Sequence, residues 1–439
     1  MRDAGRIAAS IAILEDFEQR RVPLKTAIAD WSRNNRYAGA KDRAWISGLC
    51  LDVLRRRRSL AAMMNDESAR GAVLAALHVL WGRSVETIAE LAAEEPHGAG
   101  ALSEKEQDSI ARLDSGEAPG ALSTTANFPE WLEPSVTRAF GDDAEREMTA
   151  FSERADIDLR INTLKATPEK ALAALKTVTG EAHPFVATAA RIAAPDPSEK
   201  APPVTVIPAF NKGWVEVQDL GSQIAALSAG DIKGAQVFDY CAGGGGKTLA
   251  LASMMENTGQ LYAYDRDARR MRPLYDRARR AGLRNLQIVN PSTDRETLGG
   301  LKEKMDVVFV DAPCTGCGTW RRHPDTKWRL TEQQLARRMS EQDAVLKEAA
   351  QFVRPGGRLV YVTCSFLMEE NEDRLDEFLS GKAQFSRASA LEAIRASGLI
   401  TEAAEATLKK CETGAGALRL TPARTGTDAF FVSLLRCAP

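Results

Sequence analysis

Gln236-Val237-Phe238-Asp239-Tyr240-Cys241-Ala242-Gly243-Gly244-Gly245-Gly246-Lys247-Thr248 reads as an apolar strand, a glycine turn and the start of a helix. Four consecutive glycines let the backbone turn tightly and come close to a ligand. The N–H groups left free at the helix start favour a carboxylate or a phosphate. Gly246-Lys247-Thr248 looks like the end of a nucleotide P-loop, but that loop needs a glycine where this chain has Cys241. A tight turn without a ligand is the plain alternative.

The residues downstream weaken that alternative. Leu261 to Asp265, Asp306 to Val310 and Arg358 to Val362 read as three more strands, with helical patterns over 247–256, 267–281 and 331–352. Such alternation predicts an α/β fold with a mostly parallel, doubly wound sheet. Ligands bind such sheets at the carboxyl ends of the strands. The second strand ends in Asp265, an acid placed to hold ribose hydroxyls. Turn and acid together predict a nucleoside-type cofactor. S-adenosyl-L-methionine fits, with its carboxylate near the turn and its ribose on Asp265.

The third strand runs into Asp311-Ala312-Pro313-Cys314-Thr315-Gly316-Cys317-Gly318, and the fourth into Thr363-Cys364-Ser365. Cys314 and Cys364 thus stand just past neighbouring strand ends. A thiolate there is suited to adding to an electrophilic carbon. A structural zinc site would have to recruit His323 and Cys364 without a second paired spacing, so no metal is expected. A single cysteine would by default be a small buried filler; two at strand ends argue for chemistry.

Away from the sheet, residues 1–92 carry apolar side chains at helical spacing, and Leu54 leads into Arg55-Arg56-Arg57-Arg58. That run suits either a solvated helix end or a phosphate contact. Residues 93–127 are rich in Gly, Pro, Glu and Ser and read as a loose connection. From Asp158 a short α+β pattern follows. The expected domains are a helical one over 1–125, a small α+β module over 126–212 and the sheet domain over 213–439.

The 439 residues hold 58 Lys+Arg against 60 Asp+Glu, a net charge of −2. A uniformly basic nucleic-acid coat is excluded; a local basic groove is not. Residues 311–340 hold six basic residues (321, 322, 327, 329, 337, 338) against three acids. This cluster abuts the cysteines and is expected to touch substrate phosphates. Residues 261–290 hold eight arginines against Asp265, Asp267 and Asp276, and read as a solvated helix face. Ala72 to Trp81, the best apolar run, is too short to span a membrane and carries His78. Ile7, Ile11, Leu14 and Phe17 recur at helical spacing among acids, unlike a secretory signal. Seven cysteines, an odd and sparse set, fit a reducing compartment. A cytoplasmic protein without a membrane or metal partner is expected.

At this level of detail the chain resembles the Sun-type family of RNA cytosine-C5 methyltransferases, and within it the bacterial RsmB-like ribosomal RNA enzymes. The likeness rests on Asp239 to Thr248, Asp311 to Cys314, Arg321 to Asp325, and Thr363-Cys364-Ser365 with Glu369-Glu370-Asn371. Phe210, Gly213 and Val217-Gln218-Asp219 resemble the opening motif, and Leu420-Thr421-Pro422 with Asp428 to Phe431 the closing strands. The helical N-terminus, with Asp42-Arg43-Ala44 and Leu54 to Arg57, is similar to a NusB-like RNA-binding domain.

The resemblance implies a Rossmann-like sheet preceded by an all-α NusB-like domain and an α+β module. It implies Cys364 as the nucleophile that adds to C6 of cytosine, and Cys314 as the group assisting release. Asp311 would hold the protonated N3 edge of the base, with Lys247 beside it. Cys241, Ala242, Gly243, Gly244, Gly245, Gly246, Lys247, Asp265 and Asp311 would bind S-adenosyl-L-methionine. RNA, ribosomal in the first place, is the implied partner of a monomeric enzyme, and the competing class is a non-catalytic RNA-binding ribosome-assembly factor. The chain departs from the family at Gly243-Gly244, where Ala-Pro is usual, and at Ala429, where glycine is usual. The usual acid at the adenine has no match at Asn290-Pro291-Ser292, and Asp294 stands two residues late.

Overall fold

The computed structural model describes residues 1–113, 120–196 and 202–439. The chain divides into two compact units. The first holds Met1–Arg154, Ala194–Pro202 and Trp320–Leu330; the second holds Ala155–Ala193, Pro203–Thr319 and Thr331–Pro439.

The first unit is helical. Helices Asp3–Arg20, Leu24–Asn34, Ala40–Arg55, Arg57–Met64, Ala69–Val79 and Val85–Ala93 bury one core. Ile7, Leu14, Ile46, Leu49, Val53 and Leu74 are each no more than 1% exposed, as the three-and-four spacing requires. Part of the stretch expected to be a loose connection is ordered. Ser103 and Glu106 form a reciprocal capping box that starts helix Glu104–Ala111, and Arg70 reaches Glu106 at 2.6 Å. The glycine- and proline-rich residues 115–119 lie outside the described residues.

The second unit carries two sheets. Strands β1 (Ile157–Ile161), β2 (Glu181–Ala182), β3 (Ala189–Ile192) and β4 (Val215–Val217) form an antiparallel sheet in the order β2-β3-β1-β4. The larger sheet contains β5 (Gln236–Asp239), β6 (Gln260–Tyr264), β7 (Leu286–Val289), β8 (Met305–Asp311), β9 (Val353–Thr363), β10 (Phe385–Ala388), β11 (Leu418–Leu420) and β12 (Phe430–Cys437). Its order is β10-β12-β9-β8-β5-β6-β7, with β11 on β12. From β7 to β9 every pairing is parallel, and β12 runs antiparallel to β9. This is the doubly wound, Rossmann-like sheet expected from the strand–helix alternation.

Register places the chemistry. Asp239 pairs with Ala263 on one side and Phe309 on the other, and Asp311 pairs with Val362. The carboxyl ends of β5, β6, β8 and β9 therefore open onto one edge. Val237, Phe238, Val308, Phe309, Val360 and Val362 are fully buried beneath that edge. Among the described residues no helix is long and apolar enough to cross a membrane.

Candidate active site

The glycine turn is built by close contacts. Gly243 and Gly245 take φ of 50° and 83°, a region that costs a side chain energy. A Cβ on Gly245 would stand 2.3 Å from Leu274 Cδ1, so helix Arg272–Ala281 packs against bare backbone. The Ala242 N–H donates to Tyr264 O at 2.9 Å, tying the turn to the end of β6. Thr248 Oγ1 donates to Asp239 Oδ2 at 2.6 Å. Burial pushes the Asp239 carboxyl up to about 7.

Asp265 sits just past β6 and is buried. Its carboxylate accepts the Gly243 N–H at 3.1 Å and the Asp267 N–H at 2.9 Å, and pairs with Arg270 at 3.1 Å. It braces the turn, and a ribose reaching it would take the place of Arg270. Arg277 donates to Gly244 O at 2.6 Å and pairs with the buried Glu216.

A cavity of about 650 Å³ opens in front of the turn. Cys241, Ala242, Gly243, Gly244, Gly246, Lys247, Asp311, Cys314 and Cys364 line it, together with Gln218, Ser222, Arg277 and Arg338. The sequence had thus gathered all but Gly245 and Asp265 of its expected residues at one surface. Lys247 is buried and donates to Asp311 Oδ2 at 2.7 Å. Burial pulls its ammonium down, but the charge and hydrogen bond of Asp311 outweigh this and hold it above the ordinary lysine range. The ammonium also lies 5.0 Å over the Phe430 ring.

The Sγ atoms of Cys314 and Cys364 are 3.4 Å apart. This hydrogen bond, together with burial, pushes the Cys314 thiol well above its ordinary range. Cys317 is fully buried, its thiol pushed up to about 12 by burial, and its Sγ meets Ser365 Oγ at 3.1 Å. Cys317 is thus the filler and the other two are the reactive candidates.

One buried acid joins the two cysteine loops. Glu370 accepts the Thr315 N–H at 2.8 Å, Thr315 Oγ1 at 2.6 Å and Gln342 Nε2 at 3.0 Å. Gln342 also donates to Pro313 O at 2.9 Å. Asn371 accepts Thr363 Oγ1 at 2.6 Å and donates to Ser365 O at 3.0 Å. The sequence displayed Glu370 and Asn371 without roles, and nothing in it singled out Gln342. Its mid-helix position becomes meaningful only when helix Glu332–Ala349 lies beside both loops.

Two expectations change. Part of the basic cluster that follows the cysteines is drawn away from solvent, while Arg337 stays exposed. Trp320–Leu330 belongs to the helical unit. There Arg321 is buried, and Lys327, 1% exposed, donates to Arg55 O at 3.1 Å. Arg329 pairs with Asp325, and only Arg338 of this cluster lines the cavity. Arg55 of the four-arginine run is likewise interior, paired with Asp52 at 2.8 Å and donating to Arg321 O at 2.8 and 3.0 Å. Asp294 accepts the Asn290 N–H at 2.9 Å within its own turn and does not line the cavity. Among the described residues no group of three or more His, Cys, Asp and Glu is placed to hold a metal.

Residues 228–436 match the model of a family described as 16S rRNA methyltransferase RsmB/F. Residues 128–198 match that of the RsmF/B-like, ferredoxin-like domain. The chain is 33% identical over 254 residues to ribosomal RNA small subunit methyltransferase B of Enterobacter sp., covering 57% of each chain. It is 30% identical over 260 residues to the protein of that name in Photorhabdus laumondii, again covering 57% of each. The match thus spans little more than half the length of these curated relatives. Among solved structures, PH0851 superposes with a TM-score of 0.72 at 25% identity over 99% of each chain. NSun6 from Pyrococcus horikoshii with SFG gives 0.59 at 21% identity, over 71% of this chain and 99% of that one, and shares the fold.

Proposed function

We propose, since this chain belongs to the RsmB/F methyltransferase family, that it methylates C5 of a cytosine in RNA, ribosomal RNA of the small subunit in the first place, through a covalent adduct on Cys364. The observation that carries this reading is the pair of sulfurs, 3.4 Å apart, beside the Lys247–Asp311 ion pair on one cavity wall.

Cytosine C5 is a poor nucleophile until a group adds at C6. Cys364 adds as the thiolate, and C5 gains the electron density needed to attack an electrophilic methyl group. Asp311 accepts from the protonated N3 of the base, with Lys247 fixing the carboxylate from the protein side. Cys314, which stays protonated at neutral pH, serves proton transfer and release rather than attack. Once methylated, C5 gives its proton to water, and the C5–H electron pair re-forms the C5–C6 double bond. The Cys364–C6 bond breaks with its pair on sulfur, Cys314 lends that thiolate its proton, and the methylated base leaves. The target must reach the cavity unstacked.

The residues present fit S-adenosyl-L-methionine. Backbone at Gly243, Gly244 and Gly246 borders the cavity, and helix Gly246–Met254 presents its amino end there, a seat for a carboxylate. A Cβ at Gly246 would meet nothing within 4 Å, so the approach is open. Asp265 is the acid within reach of a ribose once Arg270 swings away. When bound, this cofactor supplies the methyl group.

The test is transfer of label from methyl-labelled cofactor to unmodified small-subunit ribosomal RNA, with the product base mapped by bisulfite sequencing. A labelled, bisulfite-resistant cytosine is expected. Label on another base, or none, overturns the reading.

A further inference from the structure

The structure buries part of the first arginine-rich stretch and leaves most arginines of the second in solvent. In the cluster next to the cysteines Arg321 and Lys327 are buried, Arg329 pairs with Asp325 and Arg337 with Glu341. The stretch 261–290, which reads as a solvated face, is divided by the fold into two sets. Arg277 and Arg280 lean together on Glu216, a buried acid of the small sheet, and are structural. Arg266, Arg269, Arg270, Arg272, Arg279 and Arg284 are exposed, with Asp267 and Asp276 as the nearby acids.

Helix Arg272–Ala281 sorts them by face. Leu274 and Ala281 are buried, and Leu274 closes on the glycine turn. Arg272, Tyr275, Asp276 and Arg279 fall at positions i, i+3, i+4 and i+7, one stripe on the opposite side. Tyr275 is 53% exposed, one of the few large apolar side chains left in solvent. Arg270, just before the helix, lines the catalytic cavity. Basic charge and an aromatic ring therefore run outward from the rim of the site, a combination suited to nucleic acid rather than to a protein partner.

We propose that the outer face of helix Arg272–Ala281 docks the RNA strand leading into the active site, with Arg272 and Arg279 on backbone phosphates and Tyr275 stacked on an unpaired base. This rests on RNA being the substrate. The chemistry asks only for phosphates at arginine reach and one exposed base, so the contact is independent of sequence.

The experiment uses the full chain and an unmodified small-subunit ribosomal RNA transcript, with binding followed by fluorescence anisotropy from low to moderate salt. The variant is Arg272→Glu/Arg279→Glu; Lys409→Glu/Lys410→Glu, the same charge change on a different helix, is the control. The first pair is expected to weaken binding roughly tenfold or more and to flatten the logarithmic salt slope by about one per lost phosphate contact. KM for RNA rises while kcat holds. Tyr275→Ala is expected to weaken binding without changing the salt slope. The control is expected to bind as the parent does. Calorimetric binding of S-adenosyl-L-methionine, unchanged in the variants, shows that the turn under Leu274 is intact. Parental binding by Arg272→Glu/Arg279→Glu, or an equal loss in the control, overturns this inference alone. A parent chain that does not bind RNA overturns the substrate reading and the inference with it.

Discussion

The Sγ atoms of Cys314 and Cys364 lie 3.4 Å apart although the residues are 50 positions apart in the chain. Parallel pairing of β8 with β9 ends both strands at one edge, and the Glu370 carboxylate then fastens the loop after one to the segment after the other. The two thiols are thereby held as a unit, and the proposed mechanism gives its members different tasks.

That division predicts opposite outcomes for two alanine variants. Cys364→Ala is expected to lower methyl transfer by roughly a thousandfold or more, because no nucleophile remains to activate C5. Cys314→Ala is expected to form the adduct and release it slowly, leaving a shifted protein–RNA band on a denaturing gel. A Cys364→Ala protein with parental activity, or a Cys314→Ala protein without that band, would refute the assignment.

Glu370 is expected to matter through position. Glu370→Ala leaves the Thr315 N–H and hydroxyl without their buried acceptor and removes one of the two contacts of the Gln342 amide, at a cost of about 1–3 kcal/mol in unfolding free energy. Activity should fall further than stability, since Cys314 loses its tether. Glu370→Gln, which keeps the shape and one acceptor oxygen, should recover part of both in denaturant melts and single-turnover assays.

The buried Lys327 predicts a pH dependence in the helical unit. Burial, with a contribution from the Arg55 charge, lowers its pKa from 10.5 to about 7. Between those values the unfolded chain binds the proton and the folded chain does not, so this group's contribution to stability rises with pH across the window and is lost as pH falls through 7. Lys327→Met, similar in length and uncharged, should remove that rise. Melting curves of parent and variant from pH 6 to 10 check it: their difference should shrink toward high pH, and a constant difference would contradict the assignment.

Gly245→Ala tests the turn. The new Cβ would meet Leu274 Cδ1 at 2.3 Å with the backbone at φ 83°, strain of about 1–3 kcal/mol before any repacking. Loss of cofactor affinity by calorimetry is expected together with a lower melting temperature. Gly246→Ala, with open space at its Cβ, should fold as the parent does.

Strand–turn–helix at 236–248 was legible because it is local: period-two apolar residues and a glycine turn need no partner to be recognised. The same holds for Asp265, Asp311, Cys314 and Cys364, each at the end of an apolar run. Less legible was helix Glu104–Ala111, whose Ser103–Glu106 capping box lies inside a polar, glycine-flanked stretch. The short, half-buried β7 was not visible at all, since Leu286–Val289 becomes a strand by pairing with β6.

By itself, then, the sequence determined the sheet, the turn and which side chains are candidates for the chemistry, all set by short-range periodicity and by residue type at strand ends. Tertiary structure alone decided which charges face solvent. Arg321 and Lys327 are as basic on paper as Arg272 and Arg279, yet the first pair is drawn into the helical unit and the second is left outside. The Arg55 carbonyl and the Trp320 and Trp328 rings receive Lys327, whereas Leu274 anchors the opposite side of helix Arg272–Ala281 and turns Arg272 and Arg279 outward. The physical reason is that burial depends on what packs against a residue, and that partner lies elsewhere in the chain: Arg55 for Lys327, 272 positions away, and the turn at Gly245 for Leu274.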